Sequence, residues 1–379
     1  MDPTKNPFGS GESEQHALLV GRDAELGRLR QLFGNLSWEV VGDPIVVTGM
    51  AGVGRSAFCR AAAALAEDEK CSSAVLRVAP GQPLAGLVAV GFHQALASLV
   101  AKRPGSLAIP SIREALDRFC TARAEESAAF DGAASFPTLE PLLRRLLTTI
   151  GDAALDVGGG LALVIDDLHV ATPEEAGALL RAVAAAQSKR SGSVVLASSL
   201  PHHPALAGAP AAVLELAPLG VDEVAEAVRV PARREHAAVA DEAVAALAER
   251  TGGYPRLLAA YAHHTWNASP APPLTAVDVE AAVGAAEADL AASFYRPMLE
   301  PLTAGQRRYL RALSELGGVL APFSEIARRL GDNTRFGAQG SQLAGVGASL
   351  IERGLIHSPD GARQSFSVPF LGEHLRTPG

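Results

Sequence analysis

A run of glycines between an apolar segment and a helical segment is the feature of this sequence best suited to chemistry. Residues 49–56 read Gly-Met-Ala-Gly-Val-Gly-Arg-Ser, after the apolar run 44–48 and before an alanine-rich stretch. Their spacing fits the phosphate-binding pattern Gly-x-x-x-x-Gly-Lys-Ser/Thr at every position but one. Because the backbone N–H groups of such a loop and the next helix N-terminus attract anions, the pattern predicts a nucleotide-phosphate site. The predicted binding residues are Gly49, Gly52, Val53, Gly54, Arg55, Ser56 and Ala57.

The one departure from the pattern is Arg55, which occupies the lysine position. A lysine ammonium is a compact point charge, whereas a guanidinium is a wide planar fork. We therefore expect phosphate binding to survive and catalysis at Arg55 to be impaired. Ser56 is expected to place its hydroxyl on Mg²⁺. The alternative is an ordinary glycine turn, and a second motif downstream argues against it.

That second motif is a pair of acids at the end of another apolar run. Residues 161–165 read Leu-Ala-Leu-Val-Ile, and Asp166 and Asp167 follow them. Such a run is typical of a buried parallel strand, which delivers polar side chains to one edge of the sheet. Asp166 is expected to hold Mg²⁺ through its water shell. Asp167 is expected to act on the attacking water, where nucleotide hydrolases often have a longer glutamate.

Length and composition limit the class of protein. A chain of 379 residues is long enough for two or three domains. Its net charge of −8 gives the whole molecule no nucleic-acid signature, although residues 302–379 carry nine arginines and six acids, a net of +3. Three cysteines without metal-like spacing indicate a reducing compartment. With no signal peptide and no apolar run of about 18 residues evident, we expect a cytoplasmic protein without a membrane span.

Periodicity predicts three folded parts after a polar start. Residues 1–16 are predicted to be disordered or only loosely draped over the rest of the chain. Residues 17–220 are predicted to form an α/β core, with a parallel sheet between two layers of helices. Residues 221–300 are predicted to form an all-α lid, and residues 301–379 a winged helix-turn-helix domain. The predicted strands are 44–48, 74–78, 161–166, 193–198 and 212–216.

The winged-helix prediction rests on three stretches at helical spacing followed by a hairpin signal. Two short apolar runs, 354–357 and 365–368, flank an Asp360-Gly361 turn. Three short helices and such a hairpin are typical of a winged helix. The positions at helical spacing are Tyr309, Leu310, Leu313 and Leu316, then Phe323, Ile326, Ala327 and Leu330, then Leu343, Val346, Leu350 and Ile351.

With these motifs in order, the chain resembles the AAA-type P-loop ATPases with a C-terminal winged helix, in the origin-recognition-like branch. It also shares features with the signal-transduction P-loop NTPases. The resemblance covers about residues 6–376. The matching segments are 6–8, 20–23, 49–56, 166–167, 200–201, 251–255 and 355–370.

The resemblance implies ATP or ADP and Mg²⁺ as cofactors, and it assigns roles outside the two motifs. It places Gly21 and Arg22 near the adenine. It places a polar sensor of the γ-phosphate at the end of the fourth strand, at Ser198 or Ser199. The alternative for that position is a hydroxyl satisfied by the backbone.

The resemblance also implies a nucleotide-sensing turn in the lid. The segment 251–256 reads Thr-Gly-Gly-Tyr-Pro-Arg, in which Pro255 and Arg256 match that turn. Arg256 is thereby a candidate second sensor. The alternative is a solvated arginine of the lid.

The predicted winged helix leaves two classes of partner open. Its expected recognition helix offers Gln342 and Arg353, with Arg335 and Arg363 beside it. Because phosphate neutralisation dominates affinity for duplex DNA, this modest positive charge predicts weak, salt-sensitive binding. The alternative is a module for protein interaction or oligomerisation.

Two hypotheses about function follow from these residues. In the first, the chain binds ATP, hydrolyses it slowly and acts as a nucleotide-dependent switch that is coupled to DNA, a protein partner or homo-oligomer assembly. In the second, Arg55 prevents productive hydrolysis and the chain is a pseudo-ATPase scaffold or regulator. Replication, transcription, defence and transposition all fit this architecture.

Overall fold

The five predicted strands form one parallel sheet, in the order β2-β3-β4-β1-β5, in the computed structural model of the chain. Every residue of β3 and β4 is buried, which accounts for their continuous apolar sequences. Because β3, β4 and β1 are neighbours, their carboxyl ends meet at one edge of the sheet. The strands are β1 (Ile45–Thr48), β2 (Ser72–Arg77), β3 (Leu161–Asp166), β4 (Ser193–Ser199) and β5 (Ala212–Glu215).

The described chain divides into two compact units. One consists of residues 23–48 and 55–215 and holds the sheet, and the other consists of residues 1–22, 49–54 and 216–379. The glycine loop therefore groups with the lid and the C-terminal elements. The structure describes residues 1–8, 19–36, 43–102, 104–128, 139–156, 160–187, 192–201, 204–206, 208–318, 320–331 and 338–376.

Helices pack against the sheet and complete an α/β fold. The first helix buries Leu29 and Phe33. Three helices lie between β2 and β3 among the residues that the structure describes there. The helices are α1 (Asp23–Asn35), α2 (Arg55–Asp68), α3 (Leu84–Lys102), α4 (Ala108–Ala128), α5 (Leu139–Asp156) and α6 (Pro173–Gln187).

Helix α3 departs from one expectation. Its stretch Leu84–Ala101 is long and apolar enough to cross a membrane by length and composition, although no such run is expected from the sequence. Just over half of the stretch is buried, and α3 packs against β2 and α4. Leu84, Val88 and Phe92 are fully buried there. The apolar composition therefore fits a core helix of the α/β fold.

The predicted lid region is helical throughout. Its core includes Val244, Leu247, Leu258 and Trp266. The last long helix continues directly into a π-helical segment and a short α-helix. These elements are α7 (Val221–Arg234), α8 (Asp241–Thr251), α9 (Pro255–Ala268), α10 (Ala276–Leu290), the π-helical segment Ala291–Tyr295 and α11 (Arg296–Leu299).

The C-terminal region combines short helices with a small antiparallel sheet of order β6-β8-β7. Strands β7 and β8 flank the predicted Asp360-Gly361 turn, with Ile356 opposite Phe366. The elements occur in the predicted order, while their assignment as a winged helix stays a prediction. They are α12 (Ala304–Glu315), β6 (Ala321–Pro322), α13 (Phe323–Arg329), α14 (Ala338–Glu352), β7 (Ile356–His357), β8 (Arg363–Phe366) and α15 (Leu371–Arg376).

The first eight residues are packed, which corrects the prediction of disorder for that part of residues 1–16. Phe8 is buried and meets Trp266 edge to face, with ring centroids 6.1 Å apart. The Asn6 side chain donates to the His263 carbonyl at 2.9 Å, and the Trp266 indole donates to the Asp2 carbonyl at 2.9 Å. One aromatic ring and one amide thus anchor a polar segment to α9. The rest of the predicted disordered segment lies outside the described residues.

Candidate nucleotide site

The ends of β3 and β4 build an acidic corner. The Ser198 hydroxyl donates a 2.5 Å hydrogen bond to Asp166 Oδ1 and accepts one of 2.9 Å from the Asp167 N–H. Asp166 is 5% exposed and Ser198 is fully buried. Asp167 has a left-handed backbone, with φ of 59°, which is uncommon outside glycine and is found at functional sites. The serine therefore fixes the Asp166 carboxylate and the Asp167 backbone together.

Asp167 lies between two arginines. Its Oδ1 is 3.8 Å from Arg55 Nη2, and its Oδ2 is 2.9 Å from Arg77 Nε. The side chains of Arg55 and Asp167 are only 10% and 14% exposed, whereas that of Arg77 is 75% exposed. Burial lowers the pKa of Arg55, and the nearby Asp167 and Asp166 oppose this shift. The predicted phosphate-binding cation and the predicted water-activating acid thus pair with each other.

Opposing effects act on the pKa of the Asp167 carboxylate. Burial and the charge of Asp166 raise its pKa above the usual value, while Arg55 and Arg77 act in the opposite direction. Removal of either arginine would therefore raise the pKa further. The proton affinity of Asp167 depends on both cations.

The two candidate sensor serines differ in what they contact. Ser198 is committed to Asp166 and Asp167, so its hydroxyl positions the acids. Ser199 is also buried, and its Oγ has no hydrogen-bond partner within the described part of the chain. Adjacent residues on a strand point to opposite faces, which accounts for their different surroundings. Ser199 is thus the hydroxyl that can accept a new partner.

The donor set of the predicted metal site fits Mg²⁺. Asp166 ends β3 and contributes carboxylate oxygens, and Ser56 lies in the first turn of α2 and contributes a hydroxyl oxygen. Hard oxygen donors of this kind are those that Mg²⁺ prefers, together with water and phosphate oxygens. Their roles as metal ligands stay predictions.

The glycine loop has the backbone that its sequence predicts. Gly52 and Gly54 have φ of 80° and 100°, in a region that residues with a side chain rarely adopt. The Arg256 N–H donates a 3.1 Å hydrogen bond to the Gly52 carbonyl. The loop and the predicted sensing turn are therefore in direct contact.

The neighbouring loop positions are tightly packed. A side chain at Gly49 would come within 2.9 Å of the Leu216 carbonyl oxygen. Val53 is 1% exposed, and Ala57 in α2 is 3% exposed. These positions shape the backbone of the site and present little side-chain surface.

The turn of the lid occurs where it is predicted. Helix α8 ends before Gly252, and α9 begins at Pro255, which is buried in its first turn. The Arg256 guanidinium donates a 3.0 Å hydrogen bond to Ser293 Oγ. The arginine is thus engaged with the π-helical segment rather than only solvated.

The predicted adenine-binding residues pack against the start of α7. Gly21 has a φ of 70°, and a side chain there would clash with the Glu223 side chain. Arg22 is 4% exposed and donates to the Ala217 carbonyl. The contact of both residues with adenine stays a prediction.

The predicted DNA-binding residues differ in their surroundings. Gln342 and Arg353 are exposed, at the beginning and just beyond the end of α14. Arg363 donates from Nε to Asp360 Oδ2 at 2.6 Å, and hydrogen bonds from the Arg363 backbone and side chain lower the pKa of Asp360 to about 2. Arg335 lies outside the described residues. The structure leaves their role in DNA binding as a prediction.

Three functional candidates emerge only from the structure. Arg77 ends β2 beside β3, so its position at a strand end could have signalled it. Cys59 of α2 is fully buried, and this burial raises the pKa of its thiol. Ser293 gives no local sequence signal, because its partner Arg256 is 37 residues away.

Comparison with known proteins identifies two regions. Residues 18–197 match the model of the AAA ATPase domain. Residues 292–375 match a domain of unknown function, DUF8462. None of the curated proteins matches this sequence.

Solved structures are similar to this chain at low sequence identity. The Walker-type ATPase of Pyrococcus abyssi is 14% identical, with a TM-score of 0.52, over 94% of this chain and 96% of that protein. The Orc1 protein of Aeropyrum pernix, solved in complex with DNA, is 16% identical with a TM-score of 0.48, over 95% of each chain. The Thermotoga maritima RuvB Holliday-junction branch-migration motor is 14% identical with a TM-score of 0.44, over 95% of this chain and 96% of that protein.

Proposed function

Since residues 18–197 are an AAA-type P-loop ATPase domain, we propose that this chain binds ATP or ADP with Mg²⁺ and acts as a nucleotide-dependent switch with slow hydrolysis. The observation that carries the proposal is the largely buried ion pair between Arg55 and Asp167. For fast hydrolysis, Arg55 would have to bind phosphate while Asp167 acts on water, and the ion pair ties these two residues to each other.

The ion pair favours binding over turnover for an electrostatic reason. A phosphate group would compete with Asp167 for the Arg55 guanidinium, so nucleotide binding and the ion pair are opposed. Asp167 remains held by Arg77 when Arg55 is withdrawn. An acid bound by a cation is a weak acceptor of a proton from water, which supports slow hydrolysis.

Different residues of the chain would bind the phosphates and Mg²⁺. The loop N–H groups and the α2 N-terminus would hold phosphate oxygens, and Asp166 and Ser56 would hold Mg²⁺. When bound, Mg²⁺ would neutralise phosphate charge. Ser198 keeps the Asp166 carboxylate oriented, and Ser199 offers a buried hydroxyl at the same strand end.

The alternative is a pseudo-ATPase scaffold, and the same ion pair gives it support. If Arg55 does not leave Asp167, the chain would bind nucleotide without hydrolysing it, or would not bind it at all. The two proposals differ in measurable turnover and in whether nucleotide changes the protein.

Calorimetry with ATP, ADP and a non-hydrolysable analogue, with and without Mg²⁺, tests the proposal. We expect micromolar, Mg²⁺-dependent binding and slow turnover that the Asp166→Ala variant abolishes. Binding without any turnover supports the scaffold. No binding by any of the three nucleotides would contradict the switch and the scaffold that binds nucleotide, and it would leave only a scaffold that does not bind nucleotide.

We further propose that the C-terminal domain is a winged helix that contacts a protein rather than duplex DNA. The described residues of α14 that face solvent are Gln342, Ala344, Gly345, Ala348 and Glu352, without a basic residue among them. Arg328 and Arg329 are paired with acids, at 3.9 Å from Glu325 and 2.5 Å from Glu315. Phosphate contacts would have to displace these acids.

Fluorescence anisotropy with a labelled duplex tests the choice of partner. We expect weak binding that is lost as salt rises from 50 to about 200 mM, whichever nucleotide is present. Submicromolar binding at the higher salt concentration, weakened by Arg353→Ala, would favour DNA as the partner.

A further inference from the structure

Three consecutive residues of the π-helical segment Ala291–Tyr295 make contacts with three different parts of the same unit. Ser293 contacts the predicted sensor Arg256, Phe294 approaches the glycine loop, and Tyr295 contacts the segment 367–374 after β8. A π-helical turn inserted in an α-helix is rare and is often found at functional sites. Its contacts here connect elements that the chain separates widely.

Toward the predicted nucleotide site, Ser293 makes a hydrogen bond and Phe294 packs closely. Ser293 Oγ accepts from Arg256 Nη2 at 3.0 Å, while the Arg256 N–H holds the Gly52 carbonyl at 3.1 Å. A Cβ placed on Gly52 would lie 3.3 Å from Phe294 Cζ, and Phe294 is 9% exposed. Movement of the loop or of Arg256 therefore acts directly on the π-helical segment.

On the side of the C-terminal domain, Tyr295 makes two contacts. Its hydroxyl donates a 3.0 Å hydrogen bond to the Pro369 carbonyl, and its ring stacks on His374 at 4.6 Å with 19° between planes. Tyr295 is 5% exposed, so these contacts are largely shielded from water. The segment 367–374 is thereby fixed to the same turn that holds Arg256.

The segment 367–374 also contacts the glycine loop itself. The Ala51 N–H donates a 3.2 Å hydrogen bond to the Ser367 carbonyl. Phe370 packs over Gly252, where a Cβ would lie 3.3 Å from its ring, and it has a left-handed backbone with φ of 57°. Such a backbone in a bulky residue is strained and persists only when its surroundings hold it.

From these contacts we infer that Ser293–Tyr295 is the element that couples phosphate at the glycine loop to the position of the segment 367–374. The inference rests on the proposed nucleotide binding. A γ-phosphate would recruit the Arg256 guanidinium from Ser293 and reshape the loop that holds Ser367. Since both ends share the π-helical segment, release at Arg256 weakens the hold on Pro369 and His374.

Amide hydrogen exchange of residues 367–376 in the full-length chain tests the coupling, with saturation by each nucleotide verified by calorimetry. With a non-hydrolysable ATP analogue we expect exchange about tenfold faster than with ADP, the effect of losing one hydrogen bond to a charged group. Ser293→Ala should remove most of this difference while nucleotide affinity changes by less than about threefold. Tyr295→Phe should speed exchange with either nucleotide, because it removes only the hydroxyl that holds Pro369.

Ser365→Ala is the matched control. It removes a serine hydroxyl that donates to the Gly318 carbonyl at 3.0 Å in the same domain, without contact to Arg256. The control should keep the difference between ATP analogue and ADP. Equal exchange with both nucleotides in the wild-type chain, or full coupling in Ser293→Ala, would overturn the inference and leave nucleotide binding intact. Failure of nucleotide to bind would contradict the proposed function, and the inference with it.

Discussion

Arg55 Nη2 and Asp167 Oδ1 lie 3.8 Å apart, and both side chains are largely buried. The arginine stands where the P-loop pattern has lysine, and the aspartate stands where related sites have a longer acid. Each residue differs from the one that the pattern has at its position, and the two form an ion pair with each other. Breaking a buried pair by removing one partner leaves an uncompensated charge, so the pair should be treated as a unit.

The first prediction concerns the cation of this pair. Arg55→Lys should raise ATP turnover about tenfold, because an ammonium is compact enough to sit on the phosphates and leave Asp167 free. Steady-state phosphate release measures the effect, with nucleotide affinity determined alongside. Asp166→Ala in the Arg55→Lys background is the control and should return turnover to background. An unchanged rate in Arg55→Lys would show that this position does not limit hydrolysis.

The second prediction concerns Arg77. Because its side chain is 75% exposed, its ion pair with Asp167 should contribute only about 0–1 kcal/mol to stability. Arg77→Gln should therefore leave the melting temperature nearly unchanged. Arg77 lowers the pKa of Asp167, so its loss should move the acid limb of the turnover-pH profile to higher pH.

Arg30→Gln is the matched control for Arg77→Gln. Arg30 is a similarly exposed arginine, 3.6 Å from Glu69, in the same unit. It should change neither the melting temperature nor the pH profile. If both variants shift the acid limb equally, the shift reflects general charge and Arg77 does not tune Asp167.

The third prediction separates the two serines at the end of β4. Ser198→Ala removes one hydrogen-bond partner of Asp166 Oδ1 and one of the Asp167 N–H, so it should cost about 1–3 kcal/mol of unfolding free energy. Ser199→Ala should cost almost nothing, because its Oγ has no partner in the described chain. Urea unfolding followed by circular dichroism measures both variants.

Turnover separates the same serines in a second way. Ser199→Ala should slow hydrolysis without loss of stability if its hydroxyl meets the γ-phosphate. An equal loss of stability in both variants would mean that Ser199 also holds a structural hydrogen bond.

Much of the sheet could be predicted from the sequence because its signals are local. The run 161–166 is apolar at five consecutive positions and is fully buried in β3, and the acids that follow meet the end of β4. Glycine spacing likewise predicts the positive φ of Gly52 and Gly54. In each case, neighbouring residues along the chain carry the information.

The rest depends on contacts between distant residues. Asn6 is held by His263, more than 250 residues away, so the polar composition of the N-terminus gave a wrong prediction of disorder there. The pairing of Arg77 with Asp167 follows from the order of strands in the sheet, which local patterns do not specify. The π-helical turn that presents Ser293 likewise has no local signature in the sequence.

The last prediction concerns pH and the stack of His374 on Tyr295. Burial lowers the pKa of His374 below 6.5, while Glu287 acts in the opposite direction, and the Tyr295 ring stacks on the imidazole. In the unfolded chain the histidine would bind a proton near pH 6.5. The folded state resists that proton, so stability is full above pH 6.5 and falls as pH drops toward the lowered pKa.

His374→Phe keeps an aromatic ring and removes the titration. Between pH 7.5 and 5.5 the wild-type chain should therefore lose about 1–3 °C more in melting temperature than the variant does, because all other titrations are shared. Scanning calorimetry at both pH values measures the difference between the two proteins. If the variant loses as much as the wild type, the histidine is protonated equally in both states, and the contact with Tyr295 does not depend on its charge.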